Sequence, residues 1–256
     1  MAMLEIRDLN KYFGGLAAIK DLNLDVFNSE IVGLIGPNGA GKTTFFNVIT
    51  GVYPPTLGSV LFMNQDITGL KTYKIAQFKI ARNFQDSILF MKLSVLDNVV
   101  AGFHGNYKKA EWKSFMYIPS ARKEERAAKR KALEILEFMG LASLKDELAA
   151  NLPHGHQRIL GICIALATNP KLLLLDEPAT GMNPEETSNL IMLVKRIRDN
   201  GITIILVEHD MQAVMNLCNR IVVLNYGRKI AEGLPDEITK NEEVIEAYLG
   251  REEDYF

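Results

Sequence analysis

The sequence predicts an α/β fold built around a mainly parallel sheet, and three observations predict it. From residue 157 onward, apolar runs alternate with segments of helical period, as in a parallel sheet covered by helices. Residues 1–36 instead carry short runs of alternating polarity around turns, the mark of strands. Residues 87–158 are mostly helical in character and break the alternation, which makes them a candidate second subdomain.

Along the chain, MLEIRDLNKYFGG and IKDLNLDVFNSEIVGLIG are predicted as short strands. GPNGAGK follows, and TTFFNVITG has helical length with a glycine stop. Residues 52–70 hold Pro54, Pro55, Gly58 and Gly69 around a hairpin-like SVLFMNQDI. Residues 95–139 look helical but interrupted, with HGNYKKAEWKSFMYIPS as an insertion and ARKEERAAKRKALEILEFMG as a helix. Ser120 can cap that helix, Leu133, Leu136 and Met139 form its apolar stripe, and Gly140 stops it. QRILGICIALATNP is then helical and KLLLLDEP a buried strand. In NPEETSNLIMLVKRIRDNG, Asn183 is the N-cap, Pro184 opens the first turn, Glu186 completes a capping box and Asn200-Gly201 ends the helix. ITIILVEHD is a second buried strand, MQAVMNLCNR a helix, and RIVVLNYGRKIAEG a hairpin about Tyr226-Gly227.

With 48% apolar residues, a chain of 256 can build an ordinary core. A net charge of −2 offers no broad basic field, which argues against nucleic acid as a partner. The longest apolar runs, 172–175 and 202–207, fall far short of the roughly 18–20 residues that span a bilayer. Charges punctuate residues 1–30, so no signal-peptide core is expected. Cys163 and Cys218 lie in apolar surroundings and are expected as buried, reduced thiols. The expectation is a cytosolic protein that something else must anchor if it works at a membrane.

GPNGAGKT, from Gly36 to Thr43, matches G-x-x-x-x-G-K-[ST] in full, between a predicted strand and a predicted helix. Its glycines let successive backbone N–H groups turn toward phosphate oxygens, and the helix N-terminus adds a positive dipole end. Lys42 supplies a point charge for the β- and γ-phosphates, and Thr43 a hydroxyl for Mg²⁺. LLLLDE delivers Asp176 to the end of an apolar strand, beyond which ligands bind in open α/β sheets. Asp176 there can hold Mg²⁺, and Glu177 can polarise an attacking water.

The order of phosphate loop, ARNFQD, LPHGHQR, LLLLDEP and ILVEHD resembles the ATP-binding cassette ATPases over essentially the whole chain. The resemblance implies roles residue by residue. Phe13 in KYFGG would stack on adenine, with Tyr12 the alternative. Gly36, Pro37, Asn38, Gly39, Ala40, Gly41, Lys42, Thr43 and Thr44 would bind ATP. Thr43, Gln85 and Asp176 would form the Mg²⁺ site. Glu177, His209 and Gln85 would be catalytic, with His209 on the γ-phosphate. TGMN, 180–183, would touch a partner subunit. LPHGHQR falls where the family carries its LSGGQQR signature, and there two cassettes pack head to tail. Pro153, His154, Gly155 and His156 would then cover ATP on the partner, and no further zinc ligand stands at workable spacing from the two histidines.

The implied fold is a phosphate-loop NTPase cassette: one domain over 1–256, with a mainly parallel core and an N-terminal antiparallel β-subdomain in 1–86 and 159–256. A helical subdomain would occupy 87–158 and carry the insertion 104–120. The implied partners are a second cassette, homologous or identical, and integral-membrane permeases that hold the chain at the cytoplasmic face of the inner membrane. Departures from the signature are Pro153 for serine, His154 for glycine and His156 for glutamine; Asn183 stands where aspartate is frequent. Within the family, KYFGGLAAIKDLNL, NPEETSNL and EEVIEAYLGREE resemble the ATP-binding subunits of branched-chain amino-acid importers. Cassettes for urea or short amides share these features, whereas the lipopolysaccharide-export cassette lacks the long insertion. A ribosome- or DNA-directed ATPase is disfavoured by the single cassette, the near-neutral charge and the absence of sustained heptads.

Overall fold

The computed structural model describes residues 1–83, 89–103 and 119–249, except the side chains of 119–123 and 249. Gln85 and insertion residues 104–118 lie outside the described residues. Contacts divide the chain into two compact units. The first comprises Met1–Arg82, Lys171–Glu177 and Ile191–Phe256; the second comprises Asn83–Pro170 and Pro178–Leu190.

The first unit holds two sheets. β1 (Leu4–Phe13), β2 (Leu16–Val26), β4 (Leu57–Phe62) and β5 (Gln65–Asp66) make an antiparallel sheet in the order β2-β1-β4-β5. β3 (Ile31–Ile35), β6 (Ile80–Asn83), β7 (Leu172–Asp176), β8 (Thr203–Val207), β9 (Arg220–Asn225) and β10 (Arg228–Gly233) make the other, ordered β10-β9-β3-β8-β7-β6. β3 runs parallel to both β8 and β9, β7 parallel to β8, and β10 antiparallel to β9. The middle strands β3, β7 and β8 are buried at every residue, which is why their sequences are unbroken apolar runs rather than alternations. Helix α1 (Lys42–Ile49) packs between the sheets. Its Phe45 and Phe46 are fully buried in one cluster with Leu9, Leu22, Leu174 and Leu224, each worth about 1.5–3 kcal/mol in burial. α2 (Thr72–Gln77), α7 (Met211–Leu217), α8 (Pro235–Ile238) and α9 (Glu242–Leu249) complete the helices of this unit.

The second unit is helical, with α3 (Val95–Gly102), α4 (Pro119–Phe138) and α5 (His154–Ala167) packed on one another. It is wider than the expected 87–158, because α5 belongs wholly to it and the first turns of α6 (Pro184–Asp199) join it. Ser120 falls inside the first turn of α4 rather than before it. The expected stripe is seen: Leu136 and Met139 are buried, Leu133 half-buried, and Gly140 at φ +76° ends the helix. α5 starts three residues earlier than the sequence suggested. Pro153 occupies its N-cap at φ −54°, close to a helical value, and its carbonyl accepts from Gln157 N at 3.0 Å. The capping box of α6 forms as expected: Asn183 Oδ1 accepts from Glu185 N and Glu186 N, each at 3.0 Å, and Asn183 N donates to Glu186 Oε2 at 3.0 Å.

Both cysteines are buried, and burial pushes their thiols upward, Cys218 to about 12. They therefore stay protonated and unreactive at neutral pH. Neither is expected to react with a thiol reagent until the chain is unfolded; rapid labelling in buffer would contradict this placement.

Candidate functional site

β3, β8 and β7 are parallel neighbours, so their C-terminal ends share one edge of the sheet. β3 delivers Gly36, β8 ends at Val207 two residues before His209, and β7 ends on Asp176 with Glu177 next. Three segments far apart in the chain thus meet because strand pairing brings them together.

The loop after β3 is shaped by what passes beside it. Gly36 has φ +148°, and a Cβ there would fall 2.0 Å from Leu224 O of β9. Gly41, at φ +107°, would place one 2.4 Å from Ala18 O of β2. Ala40 O accepts from Gly227 N at 3.0 Å, tying the loop to the Tyr226-Gly227 turn. Gly36→Ala is expected to lower stability by about 1–3 kcal/mol, through backbone displacement and strain. Urea denaturation would check it, and an unchanged midpoint would refute the close packing.

Lys42 opens α1 and is buried. Its Nζ donates to Gly36 O at 2.6 Å and to Pro37 O at 2.9 Å. Burial lowers its pKa, while the charges of Glu177 and Asp176 work the other way. The backbone N–H groups of Gly39, Gly41, Lys42, Thr43 and Thr44 have no acceptor among the described residues, and neither has the exposed Thr43 hydroxyl. Unpaired donors at a helix start, beside a buried lysine, fit an anion of phosphate character.

Asp176 is buried, and its Oδ2 accepts from Arg82 Nη2 at 2.6 Å. Oδ1 has no hydrogen-bond partner among the described residues, so one carboxylate oxygen beside the phosphate loop fits a hard divalent cation. Glu177 adopts φ +47°, a left-handed conformation that costs a non-glycine residue, and its N–H donates to Val207 O at 2.8 Å. Its Oε1 lies 2.7 Å from His209 Nε2, which donates to it. Asp210 caps α7 directly after His209, with Oδ1 accepting from Gln212 N and Ala213 N. Carboxylate and imidazole are thereby held as a pair.

Phe13 ends β1 and is 41% exposed. Tyr53 meets it edge to face at 5.2 Å, and Lys11 Nζ lies 4.9 Å from its ring centre. Tyr12 is less exposed, and its hydroxyl donates to Asn10 Oδ1 at 3.2 Å. Two residues escaped the sequence reading. Arg82 is one, and its only sequence signal is a charge within an apolar run just ahead of Gln85. Tyr248 of α9 is the other. Burial raises its phenol pKa.

The signature segment lies in the second unit. His154 and His156 are in the first turn of α5 rather than in a loop ahead of it. A Cβ at Gly155 would stand 2.6 Å from Glu186 Oε1, the end of a side chain that would have to move aside. The His154 ring packs beside Gly181 of the TGMN segment. His156 Nδ1 is buried without a hydrogen-bond partner among the described residues. Among the described residues no three His, Cys, Asp or Glu side chains group as a metal cluster.

Comparison with known proteins agrees with this arrangement. The family model described as ABC transporter matches residues 19–180, and that described as Branched-chain amino acid ATP-binding cassette transporter matches 228–254. The high-affinity branched-chain amino acid transport ATP-binding protein LivG of Escherichia coli is 42% identical over 97% of this chain and 98% of its own. The lipopolysaccharide export system ATP-binding protein LptB of Escherichia coli is 33% identical over 98% and 99%. A nucleotide-free ATP-binding cassette from an ABC transporter superposes with a TM-score of 0.86 at 32% identity, covering 98% of this chain and 100% of that one. The dimeric structure of a bacterial ABC transporter cassette gives 0.76 at 26% identity, covering 91% and 99%. A phosphate loop, an acidic strand end and a histidine on one sheet edge, with relatives aligned along nearly their full length, establish that this chain belongs to the ABC transporter family as an ATP-binding cassette.

Proposed function

We propose that the chain hydrolyses ATP to power a membrane importer of branched-chain amino acids. The observation that carries the hydrolytic reading is the common strand edge, where the unpaired N–H donors, Asp176 and the Glu177–His209 pair converge. The donors of Gly39, Gly41, Lys42, Thr43 and Thr44 hold phosphate oxygens, and Lys42 exchanges a loop carbonyl for one of them. Thr43 and Asp176 would hold Mg²⁺, which would draw charge from the phosphates, and the resemblance assigns Gln85 to the same ion. Glu177 orients the attacking water and accepts its proton, while His209 keeps the carboxylate in place and meets the γ-phosphate. Phe13, 41% exposed at the end of β1, takes the adenine.

The importer reading is supported by relatives named for branched-chain amino acid transport and by the match over 228–254. No helix among the described residues is long and apolar enough to cross a membrane, so integral-membrane permeases would hold the chain at the cytoplasmic face of the inner membrane. The second unit offers them an apolar surface. Ala149 N donates to Leu93 O at 3.0 Å and Ala150 N to Met91 O at 3.2 Å, which lines up two segments carrying exposed Met91, Leu93 and Leu148. A second cassette would pack head to tail, with Pro153, His154, Gly155 and His156 over its ATP.

Purification of the tagged chain from membranes tests the proposal. Two permeases and a cassette partner should copurify, and the reconstituted complex should hydrolyse ATP faster with substrate-loaded binding protein for leucine, isoleucine or valine. Copurification of ribosomes, or stimulation by urea alone, would overturn it. Replacing 104–120 by a Gly/Ser linker should leave ATP binding unchanged, since no motif residue lies there. A loss of nucleotide binding would refute that boundary.

A further inference from the structure

Arg82 lies in the ARNFQD segment, where the resemblance gives it no role, yet its side chain is a buried cation beside the site. It is the penultimate residue of β6, the edge strand beside β7, and its side chain is only 6% exposed. Burying a guanidinium this far is costly unless its donors are matched. Here Nη2 donates to Asp176 Oδ2 at 2.6 Å, and Nη1 donates to Asn47 Oδ1 at 2.7 Å. Its carbon centre lies 5.3 Å from the ring centre of Phe46. Asn47 and Phe46 are on α1, the helix that opens at Lys42, and Asp176 ends β7. One planar group therefore ties the phosphate-loop helix to the acidic strand end.

The directions of these contacts matter. The guanidinium engages Oδ2 of Asp176 and leaves Oδ1 without a partner among the described residues. With Asn47 on α1 holding one fork nitrogen and the Phe46 ring beside the guanidinium, the carboxylate is held by one oxygen. Lysine could reproduce the charge, but as a single point it could not hold two acceptors in one plane.

We infer that Arg82 is a positioning residue for the metal site, holding Asp176 by one oxygen so that the other is presented to the Mg²⁺ that accompanies ATP. This inference rests on the proposed assignment of Asp176 to the metal. Arg82 itself touches neither metal nor nucleotide, and acts through Asp176.

Mn²⁺ serves as the probe, titrated into the protein with saturating ADP and followed by electron paramagnetic resonance. Losing the group that orients a metal-binding side chain typically costs about 10–100-fold in metal affinity. Arg82→Met should therefore weaken Mn²⁺ binding at least tenfold, Arg82→Lys by less, and ADP affinity in EDTA should stay within about twofold for both. In an Asp176→Asn background, which should itself bind Mn²⁺ weakly, Arg82→Met should add nothing. A purely structural arginine would lower the melting temperature of the nucleotide-free protein and leave Mn²⁺ affinity unchanged. That result, in Arg82→Met or in Arg82→Lys if the methionine variant does not fold, would overturn the inference. An equal loss in the Asp176→Asn background would overturn it too, by showing that Arg82 acts elsewhere. If Asp176→Asn alone bound Mn²⁺ as tightly as the unaltered chain, the metal assignment would fall first, and the inference with it.

Discussion

Glu177→Gln should bind ATP as tightly as the unaltered chain and hydrolyse it at least ~10²-fold more slowly. The amide fits the space of the carboxylate but cannot accept a proton from water. The local geometry makes this substitution clean. The backbone of residue 177 is held by its N–H bond to Val207 O at 2.8 Å, which survives the change. What alters is the contact at 2.7 Å with His209, which loses its charged acceptor. ATP should consequently persist, and any cassette dimer that ATP closes should remain closed longer. Steady-state phosphate release and filter binding of labelled ATP measure the two halves. Turnover at the unaltered rate would remove Glu177 from the catalytic role, and would leave His209 as the group to test next.

Lys42→Ala should act on binding rather than on turnover alone. It deletes a charge-assisted contact to phosphate worth about 1.5–3 kcal/mol, or roughly 10–100-fold in affinity. The structure adds a second consequence. Lys42 Nζ also satisfies the carbonyls of Gly36 and Pro37, so the alanine variant leaves both without this donor. The loop should then loosen even without nucleotide, and the melting temperature should fall alongside the affinity. Titration with a fluorescent ATP analogue, together with a thermal melt, reports both. An unchanged dissociation constant would count against the phosphate-binding assignment of this loop.

Local signals were legible in the sequence wherever the physics is local. The capping box of Asn183 and Glu186 spans three residues, and its bonds form as the spacing implies. The buried strands β7 and β8 were visible because a strand covered on both faces has no reason to alternate. Boundaries were less legible. α5 begins at His154, with Pro153 as its N-cap at φ −54° and a non-helical ψ of 152°, and both histidines fall within the first helical turn. The short strand β6 went unseen, since four residues show little period.

The site divides in the same way. The glycines, Lys42 and Thr43 lie within one short loop, so their chemistry could be inferred from spacing alone. The sequence by itself determined the family resemblance, the phosphate loop, the acidic strand end and the alternation that makes a parallel sheet. Only the tertiary structure decided which side chains hold those elements in register. Arg82 and Asp176 are 94 residues apart, and Glu177 and His209 are 32 apart, and neither separation predicts a contact. The Leu224 carbonyl that makes Gly36 obligatory comes from another strand, and the Glu186 carboxylate beside Gly155 from another helix. Periodicity and capping act over a turn or two and leave a trace in spacing. Contacts across a sheet depend on strand order and register, which are settled when the whole core closes and leave no such trace.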